Sequence, residues 1–275
     1  MSHVPNIRLN NGVEIPQIGY GVFQIEPDRT ADAVRDALEA GYRHIDTAQG
    51  YGNEEGVGQA LRDCGLSRDE VFVTTKLNND RHGYDEAITA LDESLQRLGL
   101  DHVDLFLIHW PRPKSDRFVE TWKAFEKIAS DGKARAIGVS NFRVPDLDRL
   151  AAETSTVPAL NQIELHPWLP QDELRAYHRE HGIATEAWSP LAKGGDLLSD
   201  ERIVGLAEKY GKTPAQIVLA WHLQLGNIVI PKSVTPTRVR ENLDVFDVEL
   251  SDDDLATFAE LENGTRTGPD PSNFG

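Results

Sequence analysis

Val103-Asp104-Leu105-Phe106-Leu107-Ile108-His109-Trp110-Pro111 is an almost unbroken apolar run that stops on an imidazole. A strand with one wet face alternates apolar and polar residues, so a run this continuous belongs to a strand covered on both faces, as in a parallel sheet wrapped by helices. Similar short runs stand at Ile18 to Phe23, Arg43 to Asp46, Val71 to Lys76, Ala134 to Ser140, Ala159 to Glu164, Ile183 to Ser189 and Ile228 to Ser233, making eight in all. Between them lie amphipathic stretches of helical period, among them Thr30 to Ala40, Asp85 to Leu98, Phe118 to Ser130, Leu147 to Ala152, Gln171 to His181 and Pro214 to Gln224. Eight strand and helix units in 275 residues predict an α/β fold, a closed (β/α)8 TIM barrel. No Gly-x-Gly-x-x-Gly follows the first run, which counts against an open doubly wound sheet. Asn11-Gly12, flanked by Ile7 and Ile15, predicts an N-terminal β-hairpin that caps the barrel bottom. The chain reads as one domain over residues 1–275, with 263–275, rich in Gly, Pro, Thr and Asn, a loop covering a rim.

Composition narrows the partners. Lysine and arginine number 28 against 45 acidic residues, a formal net charge of -17 that disfavours nucleic acid and anionic membranes. A phosphate-bearing ligand therefore needs a local basic cluster. No apolar run approaches the roughly 20 residues of a membrane span. The single Cys64 forms no internal disulfide and supplies no zinc cluster. The expectation is a monomeric cytoplasmic protein with a small-molecule partner and no metal.

In a barrel of this kind the chemistry sits at the C-terminal ends of the strands. Those ends are Asp46, Lys76, His109, Ser140 with Asn141, Gln162 with Glu164, Trp188 with Ser189, and Lys232 with Ser233. Tyr51 follows Asp46 closely, in Asp46-Thr47-Ala48-Gln49-Gly50-Tyr51-Gly52-Asn53. A phenol with its ordinary pKa of about 10 is a poor proton donor at neutral pH. An ammonium within hydrogen-bonding reach lowers that value, and a carboxylate paired with the ammonium keeps it charged and oriented. Lys76 and Asp46 fit those roles beside Tyr51, and His109 fits a donor to the same substrate oxygen. Taken singly, each is also what a structural ion pair or a packed ring looks like. Their coincidence at successive strand ends is what points to proton transfer.

The segment Gly41 to Gly58, then Thr75-Lys76-Leu77, His109-Trp110-Pro111, Ile137-Gly138-Val139-Ser140-Asn141-Phe142, Asn161-Gln162-Ile163-Glu164 and Ile230-Pro231-Lys232-Ser233-Val234, resemble the aldo-keto reductase superfamily in order and spacing, almost end to end. Gly19-Tyr20-Gly21-Val22-Phe23, Trp188 and Asn242-Leu243-Asp244-Val245-Phe246-Asp247 resemble its bacterial 2,5-diketo-D-gluconate reductase group. The resemblance implies an NADPH-dependent oxidoreductase that reduces aldehyde or ketone carbonyls to alcohols. Tyr51 is then the general acid, Lys76 and Asp46 tune it, and His109 orients the carbonyl. It also implies that Ser140, Asn141 and Gln162 hold the nicotinamide carboxamide and that Trp188 stacks beneath its ring. By the same carry-over Gly21, Val22 and the loop Ser189-Pro190-Leu191 lie along the cofactor. Lys232, Ser233, Val234, Thr235 and Arg238 serve the adenosine 2′-phosphate end, and Glu241 and Asn242 approach the adenine. Thr235 stands where an N-cap would, ahead of Pro236 at the first helical position, and a helix start favours anions.

Phe23, Tyr51, Asn78, His109 and Trp110 are expected to line the carbonyl pocket, gated by residues 110–117 and 192–198. Diketogluconate reductases often carry a tryptophan after Lys-Leu, where this chain has Asn78. The substrate expected is a keto sugar acid or a small dicarbonyl. Two other readings fit parts of the pattern: a Schiff-base lyase or aldolase with Lys76 as nucleophile, and a catalytically silent NADPH-binding sensor.

Overall fold

The computed structural model describes residues 4–274; Gly275, the last residue of the expected rim loop, lies outside the described residues, as do residues 1–3. A hairpin of β1 (Asn6–Arg8) and β2 (Glu14–Pro16) precedes eight parallel strands. These are β3 (Tyr20–Gly21), β4 (His44–Asp46), β5 (Phe72–Leu77), β6 (Val103–Ile108), β7 (Ala134–Ser140), β8 (Leu160–Glu164), β9 (Ala184–Trp188) and β10 (Ile228–Val229), hydrogen-bonded in that order. Ile18 bridges Val229 and closes the ring, with Gly19 N–H on Val229 O at 2.8 Å and Val229 N–H on Gln17 O at 3.0 Å. The fold is the (β/α)8 barrel that the alternation of runs predicts.

The helices around it are α1 (Pro27–Ala40), α2 (Glu54–Asp63), α3 (Tyr84–Leu98), α4 (Phe118–Ser130), α5 (Val144–Glu153), α6 (Asp172–His181), α7 (Glu201–Tyr210), α8 (Pro214–Gln224), α9 (Pro236–Glu241) and α10 (Asp252–Ala259). Among the described residues, none is long and apolar enough to cross a membrane. Helices α7 and α10 are not among the stretches quoted from the sequence, and of α2 only the end near Cys64 reads as a helix-to-loop segment. Gly56 and Gly58 weaken the helical pattern of its earlier turns, since glycine has low helix propensity.

The alternation of side chains along β6 shows how two cores arise from one run. Phe106 and Ile108 face outward into the layer under the helices, where Phe106 stacks on Phe125 of α4 at 4.4 Å. Leu105 and Leu107 face inward, packing with Phe72, Ala136, Leu160 and Ile228 in the barrel bottom. Each large side chain so buried contributes about 1.5–3 kcal/mol. Leu9 and Ile15 of the hairpin close this lower core, and Asn10 and Asn11 donate to Pro158 O and Arg135 O. Asp104, the one carboxylate in the run, is buried but satisfied by Arg68 at 2.6 Å, Arg135 at 2.8 Å and the Val73 N–H at 2.8 Å.

β3 and β10 are shorter than their apolar runs. Pro231 lacks an N–H and ends the ladder of β10. At the seam Gly19 leaves space for His44: a Cβ there would lie 2.4 Å from His44 Nδ1. His44 is wholly buried and packs edge-on against Phe72 at 5.1 Å, so the ring has nowhere to go. Gly19→Ala is therefore expected to cost about 1–3 kcal/mol by overpacking, read as a lowered denaturant midpoint at unchanged slope.

Candidate active site

Asp46 ends β4, Lys76 lies in β5, and a single 3-10 turn, Gln49–Tyr51, presents the phenol between them. The turn is held from below. Gln49 Nε2 donates to Ala90 O at 2.6 Å and Ser94 Oγ at 2.9 Å, while Gln49 Oε1 accepts the Asn78 N–H at 2.8 Å. Asn53 ties the following residues to Val22 O and Thr47 Oγ1. Gln49 and Asn53 were quoted in the motif without a role; their signal was polarity beside a tyrosine.

Lys76 is fully buried, and its three protons are all spoken for: Asp46 Oδ1 at 2.6 Å, Thr47 O at 2.9 Å and Tyr51 Oη at 3.3 Å. Burial opposes its charge, but Asp46 foremost, with Tyr51 and Glu186, outweighs burial and raises its pKa. This corrects the Schiff-base reading, which needs a free neutral amine. Because Tyr51 accepts from Lys76, its own O–H proton remains available to a ligand. Burial raises the Tyr51 pKa, and the Lys76 ammonium offsets only part of that rise. The net lowering expected from sequence is thus reversed by packing. The phenol stays protonated at neutral pH, the form a general acid requires.

His109 follows β6, with its ring 5.8 Å from that of Tyr51. Burial first, then the Lys76 charge, pushes its pKa down to about 3, so the imidazole is neutral. Its Nδ1 is buried without a partner. A neutral ring with its proton on Nε2 donates one hydrogen bond without adding charge.

The polar residues of β7 to β9 form one connected layer beside this group. Ser140 Oγ donates to Gln162 O at 2.8 Å. Asn141, at φ 63°, donates to His109 O at 2.9 Å and Ser140 Oγ at 3.0 Å, and its Oδ1 accepts the Trp188 Nε1 proton at 2.8 Å. Gln162 Nε2 donates to Asp46 Oδ2 at 2.8 Å and Glu186 Oε2 at 2.7 Å. The Gln162 amide thus keeps only Oε1 for a ligand. Phe23 lies 5.0 Å from Tyr51, and Trp110 lies 6.4 Å from Trp188. Asn78 borders the tyrosine turn, since a Cβ on Gly50 would lie 3.1 Å from its Oδ1.

Other residues join less directly. A Cβ on Gly21 would lie 3.0 Å from Ile230 O, and Val22 belongs to the core: its side chain is buried, its N–H goes to Asp46 O and its carbonyl accepts from Asn53. Ser189, Ala192 and Lys193 have left-handed backbones in the loop after β9, where Pro190 O accepts from His222 and Leu191 is half-buried. After β10, Lys232 and Arg238 are exposed and form no ion pair with the described residues. Val234, Thr235 and Glu241 are exposed too, whereas Asn242 is buried. Thr235 precedes α9 but its side chain makes no capping bond; instead its N–H donates to Ser233 Oγ at 3.1 Å.

Glu164, Lys193 and Glu186 have no individual role from the sequence, although Glu164 is noted at a strand end. Glu164, buried at the end of β8, accepts from His166 at 3.0 Å, from Thr267 N–H and Oγ1, and from Gly268 N–H at 3.3 Å. These bonds place the tail against the site: Phe274 packs on Trp110 at 4.3 Å, and a Cβ on Gly268 would strike Trp188 Cη2 at 2.4 Å. Lys193 donates to Thr267 O, joining the loop after β9 to the tail. The third is Glu186, behind Gln162. A surface hollow of about 840 Å³ lies at the opposite end of the barrel among Glu14, Arg43, Asp69 and Arg135, away from every one of these groups.

A barrel with a buried lysine bridging a carboxylate and a phenol at its strand ends has recognisable relatives. The Aldo/keto reductase family model matches residues 17–263, and the chain belongs to that family. It is 56% identical over 270 residues to a Mycolicibacterium smegmatis protein named Aldo-keto reductase, covering 98% of each chain. It is 49% identical over 276 residues to Methylglyoxal reductase DkgA of Escherichia coli, covering all of both. Among solved structures, a Gox0644 mutant in complex with NADPH superposes with a TM-score of 0.95 at 47% identity, again over the full length of both chains.

Proposed function

We infer that the protein reduces aldehyde and ketone carbonyls to alcohols, with Tyr51 as general acid, Lys76 and Asp46 as its tuning pair and His109 as the group that orients the carbonyl. The observation that carries this reading is the direction of one hydrogen bond: Lys76 donates to Tyr51 Oη at 3.3 Å, so the phenol faces a ligand as a donor. NADPH is the cofactor, and when bound it supplies the hydride that reduces the carbonyl carbon. The chain's own groups suit it. Gln162 Oε1 is free to accept from a carboxamide, the Trp188 indole offers a face beside Asn141, and Lys232 and Arg238 are unpaired cations in an acidic protein. Ser140 and Asn141 hold this layer in register more than they offer free donors, because their protons are spent on Gln162 O, His109 O and Ser140 Oγ.

In the reaction Tyr51 and His109 both donate to the substrate oxygen as negative charge develops there. The Tyr51 proton then moves to that oxygen, and the adjacent ammonium stabilises the phenolate left behind. Phe23 and Trp110 form an apolar wall for a short carbon chain. A small dicarbonyl suits this mouth: Asn78 adds a polar group beside the aromatics, and a relative aligned over the full length of both chains bears the name methylglyoxal reductase.

The test is NADPH oxidation, followed at the nicotinamide absorbance, across methylglyoxal, phenylglyoxal, simple aldehydes and 2,5-diketo-D-gluconate, with NADH in parallel. Turnover highest with the dicarbonyls supports the reading; binding of NADPH without reduction of any carbonyl overturns it in favour of a sensor. Arg238→Ala tests the 2′-phosphate end. A lost charge-assisted bond of about 1.5–3 kcal/mol corresponds to a roughly 10- to 150-fold rise in Kd for NADPH. The Kd for NADH should barely move, and equal losses for both would remove Arg238 from that role.

A further inference from the structure

Glu186 is a buried carboxyl group of the barrel interior with no part in the mechanism above. It sits on β9, paired in register with apolar Ile228 of β10, and is completely buried. Its Oε2 accepts one proton, from Gln162 Nε2 at 2.7 Å. Its Oε1 accepts none, and the nearest polar atom with a possible charge, His44 Nε2, is 3.9 Å away. That imidazole is itself committed to Thr74 Oγ1 at 3.0 Å, and burial holds it neutral with a pKa of about 3.

Asp46 differs sharply in its partners. It receives the Lys76 ammonium at 2.6 Å and the other Gln162 proton at 2.8 Å. One ammonium and one amide group therefore serve two carboxyls in the same dry space, and the ammonium goes to Asp46. A buried carboxylate needs several donors or a counter-ion to offset its lost hydration. Asp46 has both and Glu186 has a single amide proton. Two carboxyls sharing a site do not both ionise readily.

From this geometry we propose that Glu186 is a positioning residue that works as a neutral carboxylic acid, anchoring the Gln162 amide against Asp46 and leaving the Lys76 charge undivided for Tyr51. The inference rests on the reductase reading for its effect on turnover, but not for the protonation of Glu186. The charged and titratable groups facing Glu186 are Asp46 and His44 from β4, Lys76 from β5 and Tyr51 from the turn after β4; β8 presents neutral Gln162 and β10 presents Ile228. Burial, then Asp46, holds the Glu186 pKa up at about 8, in agreement with the hydrogen-bond count. When Glu186 ionises, its charge makes the Tyr51 phenol harder to deprotonate, so proton donation weakens on the alkaline side.

The experiment has two readouts. In infrared spectra of the cofactor-free protein, a buried carboxylic-acid C=O stretch should be present at neutral pH, disappear as the pH is raised, and be missing from Glu186→Gln. In NADPH-dependent reduction, the ratio of kcat at about pH 9 to kcat at about pH 7 should rise at least threefold in Glu186→Gln relative to wild type, because the amide cannot ionise. Glu186→Ala, which removes the anchor altogether, should lower kcat at neutral pH more than it changes the substrate KM, and the glutamine variant should recover most of that loss. Absence of the carboxylic-acid band, or superimposable pH profiles in wild type and Glu186→Gln, would overturn the proposal. A wild-type enzyme that shows the band but reduces no carbonyl would count against the function of Tyr51 while upholding the neutral state of Glu186.

Discussion

Replacing Tyr51 by phenylalanine is expected to lower kcat for carbonyl reduction by about 10²–10⁴, the usual worth of a positioned general acid. The ring remains, so its contacts with Phe23 and His109 persist and the pocket keeps its shape. Only the hydroxyl goes, and with it the proton that balances the charge on the substrate oxygen. NADPH affinity should stay near the wild-type value, because Lys232 and Arg238, proposed above for the phosphate end, lie after β10 and not on the tyrosine turn. The informative comparison is single-turnover reduction against cofactor binding by fluorescence. A variant that turns over at the wild-type rate would end the case for this phenol.

Lys76→Met should injure stability and activity together. Removing the ammonium leaves Asp46 as an uncompensated buried charge, and breaking a buried pair of this kind costs about 3–5 kcal/mol. It also strips the phenolate of the cation that stabilises it, so activity should fall about as far as in Tyr51→Phe. The double variant Asp46→Asn/Lys76→Met separates the two effects. With both charges gone the denaturation midpoint should return most of the way to wild type, whereas kcat should not. Recovery of both would mean that the pair acts only as a structural strut.

Asp46, Lys76 and His109, proposed above to act with Tyr51, stood out as candidates because each lies at or near the C-terminal end of an apolar run, and a barrel gathers those ends on one face. His109 after Val103 to Ile108 and Lys76 in Phe72–Leu77 are the plainest cases. What spacing does not encode is how much water the fold excludes. The rise in the Tyr51 pKa follows from burial, a property of packing that no motif prints. Glu186 looked like one polar residue among several in Ile183 to Ser189, and only the ring closure sets it behind Asp46. Glu164 and Thr267 meet across more than a hundred residues of chain, with no periodicity to announce it. Val22 lies within a recognisable segment, and its hydrogen bonds are made inside the protein.

The sealed base of the barrel has a consequence for traffic. The hairpin and the inward-facing Leu105 and Leu107 leave no exit at that end, and at the other end the tail crosses from Glu164 to Trp110. The proposed site is thus closed at its base and bordered by the tail at its mouth. In the arrangement proposed above, a nicotinamide held against Trp188 would enter before the carbonyl substrate and leave after its product: last in, first out.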